Sequence, residues 1–373
     1  MSSTLYIPVR YSETVLTEYL YQQFVRAVEL DVDVDLDSTL EGGLYGVDTK
    51  DPYRELGLDF FSTIHDLCRK AGLPPSRVTV WWGNVNSYEL YEKWVQRNNP
   101  AIRLKLVEYY PAWFSLVNLN IQEYINTNTK KEKLFTFFNG YTRPHRLKAL
   151  NFLNQNNLLE HCEWTWVSDA VDGLDKNLHS VVPKSAEGHT HYLEYSTSKN
   201  PGKEFYKMLD ATYFDLIAET FYSHEDERNL KYNWWDSVFF SEKIVRSILH
   251  KRPFLLIGNK HSLEKLRSMG FKTFPQLFDE SYDHMNDNKR LQYVLDQLLN
   301  LRIDDLHSKI NSNEITNIVE HNYLRLKEIV KFENNENVKR IHTLFVHAEP
   351  ETIVHNLPAS SNQAITWNTV GVT

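Results

Sequence analysis

Residues 213–283 alternate short apolar runs with amphipathic helical patterns, and this alternation constrains the fold more than any other feature of the chain. Residues 213–218 are an apolar run that ends at a carboxylate, Glu219, followed by Thr220. Ser241-Glu242-Lys243 then opens a helical pattern with Ile244, Val245, Ile248 and Leu249 on one face. Residues 253–258 read as a buried strand. Residues 262–269 read as a short helix with Leu263, Leu266 and Met269 inward and Gly270 as its stop. The run 271–274 is expected as the next strand. Strand, helix, strand, helix, strand is the pattern of a parallel sheet, which binds ligands at the C-terminal ends of its strands. Glu219 falls at one such end, and Glu242 and Lys243 fall at the helix start that faces it.

A helix start offers free backbone N–H groups and a partial positive charge, so it attracts phosphate. Lys243 is poorly placed for helix stability there, since its charge opposes the dipole. A phosphate partner would account for it, and Glu242 beside it suits ribose hydroxyls. The same residues also suit an ordinary capped helix with a surface Glu-Lys pair.

A second phosphate candidate lies upstream. The apolar run 134–138 leads into Asn139-Gly140-Tyr141-Thr142-Arg143-Pro144-His145-Arg146, and a helix continues through Leu147, Leu150 and Leu153. Pro144 suits the first helical position. Two arginines around a first turn can clamp a diphosphate, because guanidinium forks match phosphate oxygens.

The segments Glu219-Thr220, Phe240-Ser241-Glu242-Lys243 and Pro253-Phe254-Leu255-Leu256-Ile257-Gly258 resemble the donor-site region of α1,3-fucosyltransferase-like and related phage and bacterial glycosyltransferases. Ser241 stands where those enzymes usually carry Thr. The resemblance implies that Glu242 holds the nucleotide ribose and Lys243 the diphosphate. It also implies that Asn139 with Arg143 or Arg146, Arg146 favoured, touches the donor phosphates. Residues 262–283 resemble the tail of phage and bacterial proteins of the same group. The resemblance covers roughly residues 134–300 and does not identify the sugar.

The first half shows its own α/β alternation: a strand near residue 5, a helical pattern over 15–30, a helix over 56–71, a strand over 78–82 and a helix from Ser87. Between these lies the acidic run 29–37, which lacks the Gly and Glu positions of a calcium-binding loop and fits a half-buried strand with one acidic face. The Asp37–Gly43 stretch resembles the acidic, Gly-containing segment that precedes Leu-Gly-Leu in the phage and bacterial proteins. Glu41 and Asp37 are therefore the candidates for the base of an inverting transfer. The polar stretch 126–133 marks a domain connection, residues 168–210 are expected as a long irregular region, and 351–373 as a weakly ordered tail.

The chain has 373 residues, a formal net charge of −8, and no run near the length of a membrane span. With no apolar leader visible, a cytoplasmic protein is expected, in the host cytoplasm if viral. The acidic balance disfavours a broad nucleic-acid surface, although Lys130, Lys131, Lys133, Lys251 and Arg252 keep a local basic patch open. Trp81-Trp82, Trp164, Trp166 and Trp234-Trp235 are candidates for stacking on sugars or bases, with core packing the plainer reading. The fifteen histidines show no metal spacing.

Taken together, the expected fold is α/β, with two Rossmann-like domains facing a cleft in the GT-B manner. An acceptor domain would cover 1–128 and a donor domain 134–350. The expected activity moves a sugar from a nucleotide-sugar co-substrate to an acceptor hydroxyl, without a metal and without a permanently bound cofactor. The acceptor would be a hydroxymethylated base in phage DNA or a surface glycan. The reading from another class is a non-catalytic nucleotide- or carbohydrate-binding module. The donor set is Asn139, Arg143, Arg146, Glu219, Ser241, Glu242 and Lys243.

Overall fold

Apolar or alternating runs of four to seven residues are long enough for strands and too short for helices, and they form two parallel sheets. The computed structural model describes residues 4–8, 13–38, 58–82, 85–108, 129–139, 143–166, 203–220, 222 and 238–330. The described residues all belong to one compact unit.

The first sheet has the order β1 (Thr4–Pro8), β2 (Asp33–Ser38), β3 (Val78–Trp82), β4 (Lys105–Glu108), all parallel. Helices α1 (Glu13–Glu29), α2 (Leu58–Ala71) and α3 (Ser87–Asn98) make the crossovers. Their apolar faces meet the strands in a core that includes Phe24, Val34, Leu36, Phe61, Val80, Trp82 and Trp94. The acidic run does form a strand. On its acidic face Asp33 is partly exposed and Asp35 is buried.

The second sheet has the order β6 (Cys162–Trp166), β5 (Lys133–Asn139), β7 (Thr212–Ala218), β8 (Phe254–Ile257), again all parallel. Helix α4 (Pro144–Gln155) joins β5 to β6. Helix α5 (Lys203–Asp210) precedes β7, and α6 (Glu242–Leu249) precedes β8. After β8 come α7 (Ser262–Ser268), a 3-10 turn over Glu280–His284, α8 (Asp287–Leu299), α9 (Ile303–Ile310) and α10 (Asn313–Val330). Every residue of β7 and β8 is buried, as expected for strands covered on both faces. Gly270 ends α7 at φ +87°, where a Cβ would meet the Arg325 guanidinium.

Three sequence expectations need correction. Residues 271–274 are not a strand. The Asn322 side chain of α10 accepts from the Lys272 N–H at 2.7 Å and donates to its carbonyl at 2.8 Å, while Glu280 accepts from the Phe274 N–H at 2.7 Å. Side chains thus take the backbone groups that a sheet edge would use. The expected irregular region 168–210 ends in a helix, α5, and its part 168–202 lies outside the described residues. The strand β6, with Trp164 and Trp166, was missed because its charged and polar residues break the apolar run. Of the expected connection 126–133, residues 126–128 lie outside the described residues and Lys133 already belongs to β5; the upper end of the second half and the tail are not described either.

Candidate functional site

The two sheets differ in connectivity. In the second, the chain passes from β5 outward to β6 on one side, and from β7 outward to β8 on the other, so the order reverses between β5 and β7. In open parallel sheets such a reversal opens a crevice at the strands' C-terminal ends. The recorded pairing of β5 with β7 stops at Thr136–Asp215. By contrast, β5 stays paired with β6 to Asn139–Trp166, and β7 with β8 to Ala218–Ile257. The first turn of α4 meets the freed end of β7: Arg146 donates twice to the Ala218 carbonyl, at 3.2 and 3.1 Å, and His145 Nε2 lies 2.8 Å from the Glu219 carbonyl. Burial first, then Arg146 beside it, pushes the His145 imidazole well below its ordinary pKa, so it sits there neutral.

Above this crevice stands the start of α6. Ser241 is its N-cap, and the Ser241 hydroxyl accepts from the Lys243 N–H at 3.3 Å. Glu219, fully buried, accepts from the Ser241 N–H at 3.1 Å and from its hydroxyl at 2.5 Å. Both of its oxygens therefore hold the helix start over the end of β7. Burial raises the Glu219 carboxyl, against the pull of Lys243. Lys243 is not a surface residue: it is 4% exposed, with its ammonium 2.9 Å from Glu242 Oε1 and 3.2 Å from the Ser241 hydroxyl. Burial alone would raise the Glu242 carboxyl, but the Lys243 ammonium and its hydrogen bond hold it down at about 2. An ammonium and a carboxylate thus share a helix start at the strand ends, a pairing that suits a phosphate and a ribose.

Beside this cluster, buried polar atoms lack partners. Asn139, 0% exposed at the end of β5, has neither its amide nitrogen nor its amide oxygen hydrogen-bonded. Asn259 Oδ1, just after β8, and Arg246 Nη1, one turn on from Lys243, are also without hydrogen-bond partners. Leaving a buried polar group unsatisfied costs roughly 1–3 kcal/mol, so the amide of Asn139 is costly where it stands. The Arg246 guanidinium lies over the rings of Phe138 and Phe205, 5.4 and 5.6 Å from their centroids. The sequence reading missed Arg246, although its spacing of three from Lys243 puts the two on one helix face.

Beneath the site, a buried ion pair braces the sheet. Arg252 Nε donates to Asp215 at 2.9 Å, and the Thr136 and Ser247 hydroxyls donate to the same carboxylate at 2.7 and 2.6 Å. Burial opposes the charge on Asp215, but Arg252 and the two hydroxyls hold its pKa below the usual range.

The expected donor residues Asn139, Glu219, Ser241, Glu242 and Lys243 thus gather at the C-terminal edge of the second sheet, and Arg143 is the N-cap position of α4. Asp37 is the next-to-last residue of β2, opposite Trp81; its side chain, like all of Glu41, lies outside the described residues. The other candidate residues are placed as follows. Trp81 and Trp82 are 2% and 1% exposed, and Trp82 belongs to the core of the first sheet. Lys130 pairs with Asp304, Lys133 with Glu163 and Lys251 with Glu320, while Lys131 and Arg252 are buried. Trp234 and Trp235 and the pair His189 and His191 lie outside the described residues. Cys68 and Cys162 are buried free thiols, and among the described residues no helix is long and apolar enough to cross a membrane.

No family model matches the chain, and no curated protein was found to match it. Among solved structures, it is similar to the DNA modifying enzyme beta-glucosyltransferase, studied with and without the substrate uridine diphosphoglucose, at 14% identity and a TM-score of 0.36. That match covers 91% of this chain and 99% of the other. A glycosyltransferase from Rickettsia africae ESF-5 matches at 11% identity and the same TM-score, over 93% of this chain and 100% of the other. Likenesses at this level carry no argument about fold or activity.

Proposed function

We propose that the chain is a glycosyltransferase that binds a nucleotide-sugar donor at the C-terminal edge of its second sheet. The observation that carries the reading is that the buried Lys243–Glu242 pair at a helix start and the unpartnered amide of Asn139 both lie at the strand ends where the pairing of β5 and β7 stops. The family resemblance of the Ser241-Glu242-Lys243 segment supplies the reaction class. Lys243 would neutralise the diphosphate and Glu242 accept from the ribose. Asn139 would find in the donor the partners it lacks in the chain, and Arg143 and Arg246 would reinforce the positive field. Two donors of Arg146 already serve the Ala218 carbonyl, so its part would be to shape the crevice as well as to face the phosphates.

An acceptor hydroxyl, deprotonated by a carboxylate, attacks the anomeric carbon. The C–O bond to the diphosphate breaks, and the nucleoside diphosphate leaves with the electron pair. Asp37 and Glu41 remain the proposed base. The end of β2 is a place from which a parallel sheet presents such a group. Helix dipole and cations are proposed to carry the leaving-group charge without a metal. The first acceptor to test is a hydroxymethylated base in DNA, which the resemblance to phage proteins suggests. The pairing and burial of the basic residues named above remove one argument for a duplex-binding patch.

Incubation with a panel of nucleotide sugars, against hydroxymethylcytosine DNA and separately against lipid-linked glycans, tests the reading by mass. Transfer to DNA alone supports the modified-base acceptor, and transfer to the glycan alone replaces it. Donor binding with neither transfer nor donor hydrolysis favours a binding module. Turnover should survive exhaustive chelation; loss on chelation with recovery on adding a divalent ion contradicts the metal-free account.

A further inference from the structure

On the loop and turn that follow β8, His261 Nδ1 lies 2.8 Å from Glu264 Oε2 and 3.2 Å from His284 Nδ1. The donor atoms of these three exposed residues all lie within 4.8 Å of one another. We infer that His261, Glu264 and His284 form a binding site for a divalent transition metal of the Zn2+ class. Two imidazole nitrogens and a carboxylate converge on one point. A proton on His261 Nδ1 can be directed at only one of its two neighbours, so a single cation answers the three lone pairs better than any tautomer does. The spacing fits: nitrogens each about 2.0–2.1 Å from a tetrahedral Zn2+ stand roughly 3.3 Å apart. Imidazole with carboxylate is a borderline donor set that suits Zn2+ over Mg2+ or Ca2+.

The backbone segments that carry the three side chains are tied together before any ion arrives. Asp283, buried and adjacent to His284, accepts from the N–H groups of Leu263 and Glu264 at 2.9 Å each, and its carbonyl accepts from the His261 N–H at 2.8 Å. These bonds fasten the His261 segment to the turn that carries His284. The Asp283 carboxylate also offsets the partial positive charge of the α7 start, which would otherwise oppose a cation. Three protein ligands leave a fourth position for water or a substrate oxygen, and exposure leaves the ion's path open. The site shares no residue with the proposed donor cluster, so it stands or falls independently of the transferase reading.

Calorimetric titration of the metal-stripped full chain with ZnCl2, repeated with Co2+ and read by visible absorption, tests the site. One equivalent should bind and give the intense bands of tetrahedral Co2+. His284→Gln, His261→Gln and Glu264→Gln should each weaken binding tenfold or more, while their unfolding temperatures in chelator match the parent. Zn2+ should raise the unfolding temperature of the parent and not that of the His261→Gln/His284→Gln double variant. Absence of Zn2+ binding to the parent, or equal affinity in the double variant, overturns the assignment.

Discussion

The two sheets are alike in strand number and direction and differ in what they bury. In the first, strand order follows sequence order, and the buried polar side chains described there are Asp35, Asn86 and Ser87. In the second, the order reverses between β5 and β7, and polar side chains run through the interior: Thr136, Asp215, Ser247 and Arg252 below, and Asn139, Glu219, Ser241, Lys243 and Arg246 at the strand ends. Burying charge is costly unless it is paired. A sheet that carries so much of it is shaped by something other than packing. Connectivity supplies the reason: only where neighbouring strands run off in opposite directions does the edge open enough to admit a ligand.

The largest test of this contrast concerns stability. Arg252→Met strips the buried Asp215 of its partner and should cost about 3–5 kcal/mol in urea unfolding. Arg77→Met, which removes a more exposed pair with Asp31 and Asp33 beside the first sheet, should leave the unfolding midpoint nearly unchanged. Equal losses would mean that the two sheets do not differ as described. A finer test swaps an asparagine in each half. Asn139→Leu removes two unpartnered buried groups and should stabilise the chain by about 1–2 kcal/mol while weakening nucleotide binding. Asn86→Leu gives up a bond to the Val238 carbonyl at 3.2 Å and should destabilise by about 1 kcal/mol. A destabilised Asn139→Leu would show that this amide serves the fold.

A further test of the contrast is in acid. Glu242 has a folded pKa of about 2 against an ordinary 4.5, so its stabilisation is complete above about pH 4.5 and is lost as pH falls toward 2. Glu219, raised by burial, works in the opposite sense: its contribution is present below about 4.5 and is lost as pH rises through its folded value. Glu242→Gln should therefore flatten the acid limb of stability against pH. An unchanged limb would separate Glu242 from Lys243.

Much of the fold was legible because helical and strand periodicities here are local. The Ser241 cap, the Gly270 stop, Pro144 at its first turn and most of the strands follow from neighbours in sequence. What escaped reading depends on distant partners. The run 271–274 has the composition of a strand, but Asn322, 50 residues on, takes its backbone bonds. Trp81 and Trp82 read as a platform or, more plainly, as core, and for Trp82 the packing of Phe60 and Phe61 of α2 against its ring decides for core. Of the candidate site, the helix start at Lys243 was visible, since a lysine there needs explaining. That Lys243 is buried, and that Arg246 joins it, was not. His261 and Glu264 are close in sequence, but His284 reaches them from 23 residues away, beyond any spacing rule.

Calorimetric titration of nucleoside diphosphate into the parent chain and into Lys243→Ala tests the central claim most directly, with circular dichroism to confirm that the variant is folded. Glu242→Gln in the same background removes the carboxylate left without its ammonium. The parent should bind, and Lys243→Ala should lose roughly 1.5–3 kcal/mol, about ten- to hundredfold in affinity, with its secondary structure intact. A folded Lys243→Ala chain that binds the nucleotide as tightly as the parent would contradict the placement of the diphosphate at the start of α6.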